Sequence, residues 1–181
     1  MENRNHKDSL FIDLFCKDKE GKQNFISLYN ALHNTNLDLA TTTVQEVNIE
    51  NVLYMALSND IAMLVDNRLV VLVEHQSTIN ENMPLRLLEY VSRIYEQLVP
   101  SEDRYEKKMI KIPYPEFFVF YNGTEDYPVE TELRLSDAFI FPEEKYNVQN
   151  NKFSVEITVK IVNINTDKNN PILKQCKKLE E

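Results

Sequence analysis

Glycine is scarce in this 181-residue chain, which has two. No GxGxxG or GxxxxGK(S/T) pattern occurs, so phosphate binding by a glycine-rich loop at a helix start is excluded. Cysteine is equally scarce: Cys16 and Cys176 lie far apart and have no metal-ligand spacing. A disulfide scaffold is therefore not indicated, and a reducing cytoplasm is the default compartment. Apolar runs fall well short of the roughly 20 residues needed to cross a bilayer, and no signal-peptide pattern opens the chain. The expectation is a soluble cytoplasmic protein with no membrane partner. Positive charge is also in deficit, with 20 Lys and Arg against 29 Asp and Glu, a net of -9. That balance argues against a broadly basic nucleic-acid-binding surface. It leaves open an enzyme whose carboxylates hold a cation and whose phosphate contacts come from a local basic patch.

Hydrophobic residues make up 43% of the chain and charged residues 27%, as in ordinary globular domains. The length suits one domain over residues 1–181 rather than two. Ser9 to Phe15 reads as a short helix with Asp8 as N-cap, and Gly21 then breaks the pattern. Phe25, Leu28, Tyr29 and Leu32 fall at i, i+3, i+4 and i+7, the stripe of an amphipathic helix ending near Asn34. Val44 to Ala56 is rich in β-formers and predicts a strand with uncertain edges. Asp60–Val65 and Leu69–Val73 are two compact apolar runs with Asp66-Asn67-Arg68 between them, the pattern of a hairpin of covered central strands.

Pro84 opens a helix whose inner stripe is Leu85, Leu88, Val91, Ser92 and Tyr95, and Pro100 ends it. Glu116 to Tyr121 reads as a buried strand stopped by Asn122-Gly123. Leu133 to Phe141 is ambiguous, and Phe153 to Ile164 alternates as a late strand. From Pro171 the spacing of Leu173, Cys176, Lys177 and Glu180 predicts the first turns of a helix that the chain end cuts off. A mixed sheet flanked by helices on both sides is the simplest α/β architecture for this order.

If Asp66, Asn67 and Arg68 form a three-residue turn, Val65 pairs with Leu69 and Asp60 falls opposite Glu74. Opposed residues of an antiparallel pair share a face, with Cβ atoms about 5 Å apart. Gln76 joins them by i, i+2 alternation, while His75 points the other way. Two carboxylates that close repel unless a cation lies between them, and carboxylate oxygens suit Mg²⁺. A two-residue turn would instead put Asp60 opposite Val73 and separate the acids. The alternative is that both acids are solvated residues at the open end of a hairpin.

Asp60, the strand after it, and Val70-Val71-Leu72-Val73-Glu74-His75-Gln76 resemble the D…ExQ variant of the PD-(D/E)XK motif, with glutamine where lysine is usual. Pro84, Arg86, Tyr90, Tyr95 and Gln97 resemble the helix that follows in the recombination-promoting nuclease and transposase family (Rpn-like). Asp8-Ser9-Leu10-Phe11 with Leu14-Phe15, the helix through Leu28, Asn30, Ala31 and Leu32, and Phe117 to Tyr121 with Asn122-Gly123 are similar to that family too. So is Leu135-Ser136-Asp137-Ala138-Phe139. The resemblance spans about residues 7 to 180.

It implies a restriction-endonuclease-like fold and a metal-dependent DNA endonuclease linked to recombination or mobile DNA. Asp60 and Glu74 would bind Mg²⁺ or Mn²⁺, and Gln76 would orient water or a phosphate oxygen by hydrogen bonds. Arg86, Tyr90 and Arg93 share a helix face on which an arginine could replace part of the missing lysine charge. The plainer reading of that face is a solvated one with Tyr90 half buried. Arg104, Lys107, Lys108 and Lys111 form a local basic cluster that suits either a DNA backbone or a solvated loop. His6, His33 and His75 have no ligand spacing. Glu46 or Glu50 is a candidate further acid, without a spacing argument. A homodimer would let two sites cut both strands, and a catalytically weak or inactive binding module of the same fold is the competing reading.

Overall fold

The computed structural model describes residues 14–16, 18–47, 61–140 and 153–176, with residues 73–76 as backbone alone. Helix α1 is Asp18–His33, α2 is Met83–Leu98 and α3 is Pro171–Gln175. The strands are β1 (Val44–Glu46), β2 (Ile61–Val65), β3 (Arg68–Gln76), β4 (Tyr114–Tyr121), β5 (Glu130–Arg134) and β6 (Thr158–Asn163). They form one six-stranded sheet in the order β1-β2-β3-β4-β6-β5. β1, β2 and β3 pair antiparallel, β3, β4 and β6 pair parallel, and β5 closes the far edge antiparallel to β6.

Successive residues of β3 bury to opposite faces, which is why its apolar run is continuous. Val70 and Leu72 join Met63, Phe118, Phe120 and Val162 beneath α1's Phe25, Ile26 and Leu28. Leu69 and Val71 join Phe117, Val119, Val159 and Ile161 beneath α2's Met83, Leu87, Val91 and Ile94. Each such side chain, fully buried, contributes about 1.5–3 kcal/mol of transfer free energy. The result is a mixed sheet with helices on both faces, the architecture expected of a PD-(D/E)XK-like fold.

Several local expectations are corrected. The hairpin turn has two residues: Val65 pairs with Arg68 and Leu64 with Leu69, leaving Asp66 and Asn67 as the turn. Asp66 takes φ 52°, a left-handed conformation that aspartate tolerates. It is pinned there from a distance, since its N–H donates to the Thr43 carbonyl and its Oδ1 accepts from Thr43 N–H.

Gly21 lies inside α1 rather than ending a pattern. A Cβ there would stand 3.0 Å from the Cys16 backbone carbon, so glycine is what lets the helix start pack against the preceding residues. β6 begins at Thr158 rather than Phe153, because the Glu156 carboxylate turns to accept from the N–H groups of Ser136 and Ile157. The edge strand β5 takes up the start of the stretch that was ambiguous in sequence. The helix predicted at Ser9 to Phe15 lies largely outside the described residues, as does most of the strand predicted beyond Val47.

Candidate functional site

Because β3, β4 and β6 run parallel, their C-terminal ends come out side by side. The space outside the carboxyl ends of parallel strands is where open α/β sheets bind ligands. β3 delivers Glu74, His75 and Gln76 to that end, and Gln76 pairs with Tyr121 of β4. Between Val73 and Gln76 the β3–β4 ladder slips: three steps on β3 match two on β4, from Val119 to Tyr121. Strict alternation therefore does not hold through this segment. The simple count that put Glu74 and Gln76 on one face loses its basis, as does the three-residue turn that opposed Asp60 to Glu74. Asp60 lies outside the described residues, immediately before Ile61.

The frame around the end of β3 is well defined. Gly123, just past β4, presses so closely on the Ser77 carbonyl oxygen and the Tyr121 ring that a Cβ would collide with both. Here glycine is required by a backbone approach next to the candidate residues. The Gly123 carbonyl accepts from Asn165 Nδ2 at 2.9 Å. Asn163, fully buried at the end of β6, accepts from Asn165 N–H at 3.0 Å and donates to the Tyr127 carbonyl at 2.8 Å. Asn170, also fully buried, donates to the Asn163 carbonyl at 3.0 Å and caps α3 by accepting from Ile172 N–H. Tyr121 donates to the Glu125 carbonyl at 3.0 Å, and its ring lies 5.0 Å from that of Tyr127. Burial raises the Tyr127 pKa, and the nearby Glu81 and Tyr121 add to the shift. At the rim Lys168 pairs with Asp126, whose pKa is lowered by the hydrogen bond and charge of that lysine.

This asparagine network was missed by sequence reasoning. Its faint signal was an Asn-Ile-Asn run ending an alternating strand, with Asn-Asn-Pro shortly after it.

Helix α2 starts just beyond this end with Pro84 in its first turn. Arg86, Tyr90 and Arg93 do share one helix flank, at i, i+4 and i+7. Tyr90 is 5% exposed rather than half buried, packed with Leu87 and Val91 against the sheet. Arg86 is half-buried with Nη1 3.2 Å from Met83 Sδ, and Arg93 is exposed.

The remaining candidates sit elsewhere. His33 is at the opposite end of the sheet, 3.0 Å from Glu116 Oε1. Glu46 is exposed in β1. Cys16 is buried, and that burial, with Glu46 adding, pushes its thiol up to about 12, which excludes a thiolate nucleophile at neutral pH. Glu50 and His6 lie outside the described residues, and His75 is described as backbone alone.

Among the described residues no three His, Cys, Asp or Glu side chains gather into a group able to hold a metal ion. Asp60 and the Glu74 side chain fall outside that set. Among the same residues no helix is long and apolar enough to cross a membrane.

No curated protein and no solved structure matches the chain. A family model does, the one described as "Putative transposase, YhgA-like", over residues 5–170. That match takes in the whole sheet, both long helices and the end of β3 with its surrounding frame. By its extent, the chain belongs to the YhgA-like transposase family.

Proposed function

We propose that this chain is a divalent-metal-dependent DNA endonuclease of the Rpn-like, PD-(D/E)XK type, hydrolysing phosphodiester bonds in recombination or mobile DNA. The observation that supports it most is the position of Glu74–Gln76. In a chain of the YhgA-like family, these residues close the central strand β3 where β4 and β6 also end.

On this reading Asp60 and Glu74 would supply carboxylates and Gln76 an amide oxygen, an all-oxygen donor set of the kind Mg²⁺ and Mn²⁺ take. When bound, such an ion supplies Lewis-acid charge stabilisation and a water of lowered pKa. The two-residue turn removes the hairpin count as support for opposing the two acids. The ladder slip after Val73 supplies a different local feature, since an extra residue of this kind re-aims side chains next to active sites.

Gln76 is uncharged, so its work is orientation: its NH₂ donates to a phosphate oxygen, or its carbonyl holds a water. Arg86, in the first turn of α2, supplies the positive charge that a motif lysine would otherwise bring, and Arg93 lies two turns further along.

The test is nicking of supercoiled plasmid in Mg²⁺ or Mn²⁺ by the wild type and by Asp60→Ala and Glu74→Ala. Loss of about 100-fold or more is expected for each. Equal nicking by wild type and variants would sink the site. The net charge of -9 and the neutral Gln76 favour a second reading, a binding or assembly module that keeps the fold without cutting. Calorimetry that finds no Mn²⁺ binding to a protein still able to bind DNA would select that reading.

A further inference from the structure

The segment between α2 and β4 is held to the helix end yet exposes its apolar side chains. Arg104 donates to the carbonyls of Glu96 and Val99 at 3.0–3.3 Å, capping the orphan carbonyls at the end of α2. Tyr95 donates to the Pro113 carbonyl at 2.7 Å and fixes the other end. Between these ties runs an open groove of about 570 Å³, lined by Tyr95, Val99, Met109, Ile110 and Ile112. Among the described residues, more than half of the large apolar side chains that stand exposed fall between Leu98 and Tyr114. Tyr105 is 90% exposed and Met109 76%. Such a concentration marks an interaction surface rather than ordinary surface scatter.

The charges around the groove say what fits it. Apart from Arg104, which is tied to the carbonyls at the end of α2, the acids Glu102, Asp103 and Glu106 precede the bases Lys107, Lys108 and Lys111. The segment therefore has a net acidic half followed by a basic half. A two-fold axis brings the same patch of two copies together in reverse, which sets each acidic half against the other copy's basic half. The chain as a whole is acidic, with a net of -9, and two copies repel unless a local pattern of charge attracts them. Nucleic-acid surfaces are predominantly polar and basic, whereas this one mixes three carboxylates with bared apolar groups. We infer that the groove beside the end of α2 is a self-complementary surface that pairs two copies of this chain. The inference does not depend on the chemistry at the end of β3.

Sedimentation equilibrium of the full chain tests it. The wild type is expected to dimerise in the micromolar range, about 10 µM or tighter. Met109→Glu with Ile112→Glu should weaken association about tenfold or more, with circular dichroism and melting unchanged. Reversing the bases alone (Lys107→Glu, Lys108→Glu, Lys111→Glu) should abolish it. Adding Glu102→Lys, Asp103→Lys and Glu106→Lys should restore it, because the pattern is then inverted but still self-complementary. A wild type that stays monomeric overturns the inference, and so does a dimer indifferent to these variants. It is also overturned if the chain is monomeric and the lysine variants lose retention of a DNA duplex, which would mark the patch as a nucleic-acid surface.

Discussion

The two ends of the parallel strands are built from different chemistry. At the N-terminal end, Glu116 of β4 gathers charge: its Oε1 lies 3.0 Å from His33 Nε2 and 3.1 Å from Arg68 Nη1. Arg68 also faces Tyr29, and Tyr29 and Glu116 together raise the Arg68 pKa. Glu156, just before β6, ties Ser136 and Ile157 by their backbone N–H groups. At the C-terminal end the frame is, among the described residues, mostly neutral amide: Asn163, Asn165 and Asn170, with the Gly123 backbone pressed on Ser77 and the ion pair of Lys168 with Asp126 at the rim. Charge locked into ion pairs at one end stabilises the fold. A neutral frame at the other would not compete for the cation or the phosphate that the proposed site takes. On the proposed reading the difference separates scaffold from site, and it can be broken by substitution at either end.

Gly123→Ala is expected to have the largest effect. The new Cβ has no space, because the Ser77 carbonyl and the Tyr121 ring already fill it. Either the turn after β4 or the residues following Gln76 must move, at a cost of about 3 kcal/mol. Since those residues directly follow the candidate site, nicking should fall further than the lost stability explains, at temperatures where the variant is still folded. A variant that melts early but cuts normally when folded would show that the end of β3 is not where the chemistry occurs.

Glu116→Ala is the counterpart at the other end. It strips the shared acceptor from His33 and Arg68, while Arg68, half exposed, recovers part of its solvation. One carboxylate oxygen of Glu116 is buried without a hydrogen-bond partner among the described residues, so its removal returns some desolvation energy. A net loss of about 1–2 kcal/mol in chemical denaturation is expected, with nicking per folded molecule unchanged. Lost activity in a stable variant would collapse the distinction between the two ends.

The central sheet was legible in sequence because β2, β3 and β4 bury both faces, and a continuous apolar run records that directly. The helix after Pro84 was legible as an element, but its inner stripe was misplaced. Leu85 and Ser92 are exposed, and Leu87, Tyr90, Val91 and Ile94 are the buried face, because the sheet beneath decides which side of the helix turns inward. The turn length was not legible. Asp66-Asn67-Arg68 suits two or three turn residues equally, and the choice is made by bonds from Asp66 to Thr43, far away in sequence. The ladder slip after Val73 was invisible for a similar reason: it is a property of β3 against β4, not of either strand alone. Edge strand β5 carries its signal in pairing as well, since Glu-Thr-Glu-Leu-Arg has no apolar run and is anchored by Lys160 on Glu130 at 2.7 Å. Of the candidate site, residue types and chain order were legible, whereas the frame of Asn163, Asn165 and Gly123 required the fold.

The smallest expected effect tests the charged end through pH. Burial works to raise the Glu156 pKa, but hydrogen bonds from Ser136 and Ile157 and the charge of Arg134 outweigh it, so the folded value lies below the ordinary 4.5. A carboxyl depressed on folding contributes stability above its unfolded pKa, and that contribution is lost as pH falls through the folded value. Glu156→Gln keeps an oxygen that can accept from both N–H groups but removes the titration. The side chain is exposed, so the loss near neutral pH should stay below about 1 kcal/mol. The gap between wild type and variant should then close as pH drops below 4.5, which urea denaturation at a series of pH values would resolve. A gap that stays constant across that range would mean the carboxylate's charge adds nothing at this end, and that geometry alone turns the chain into β6 at Thr158.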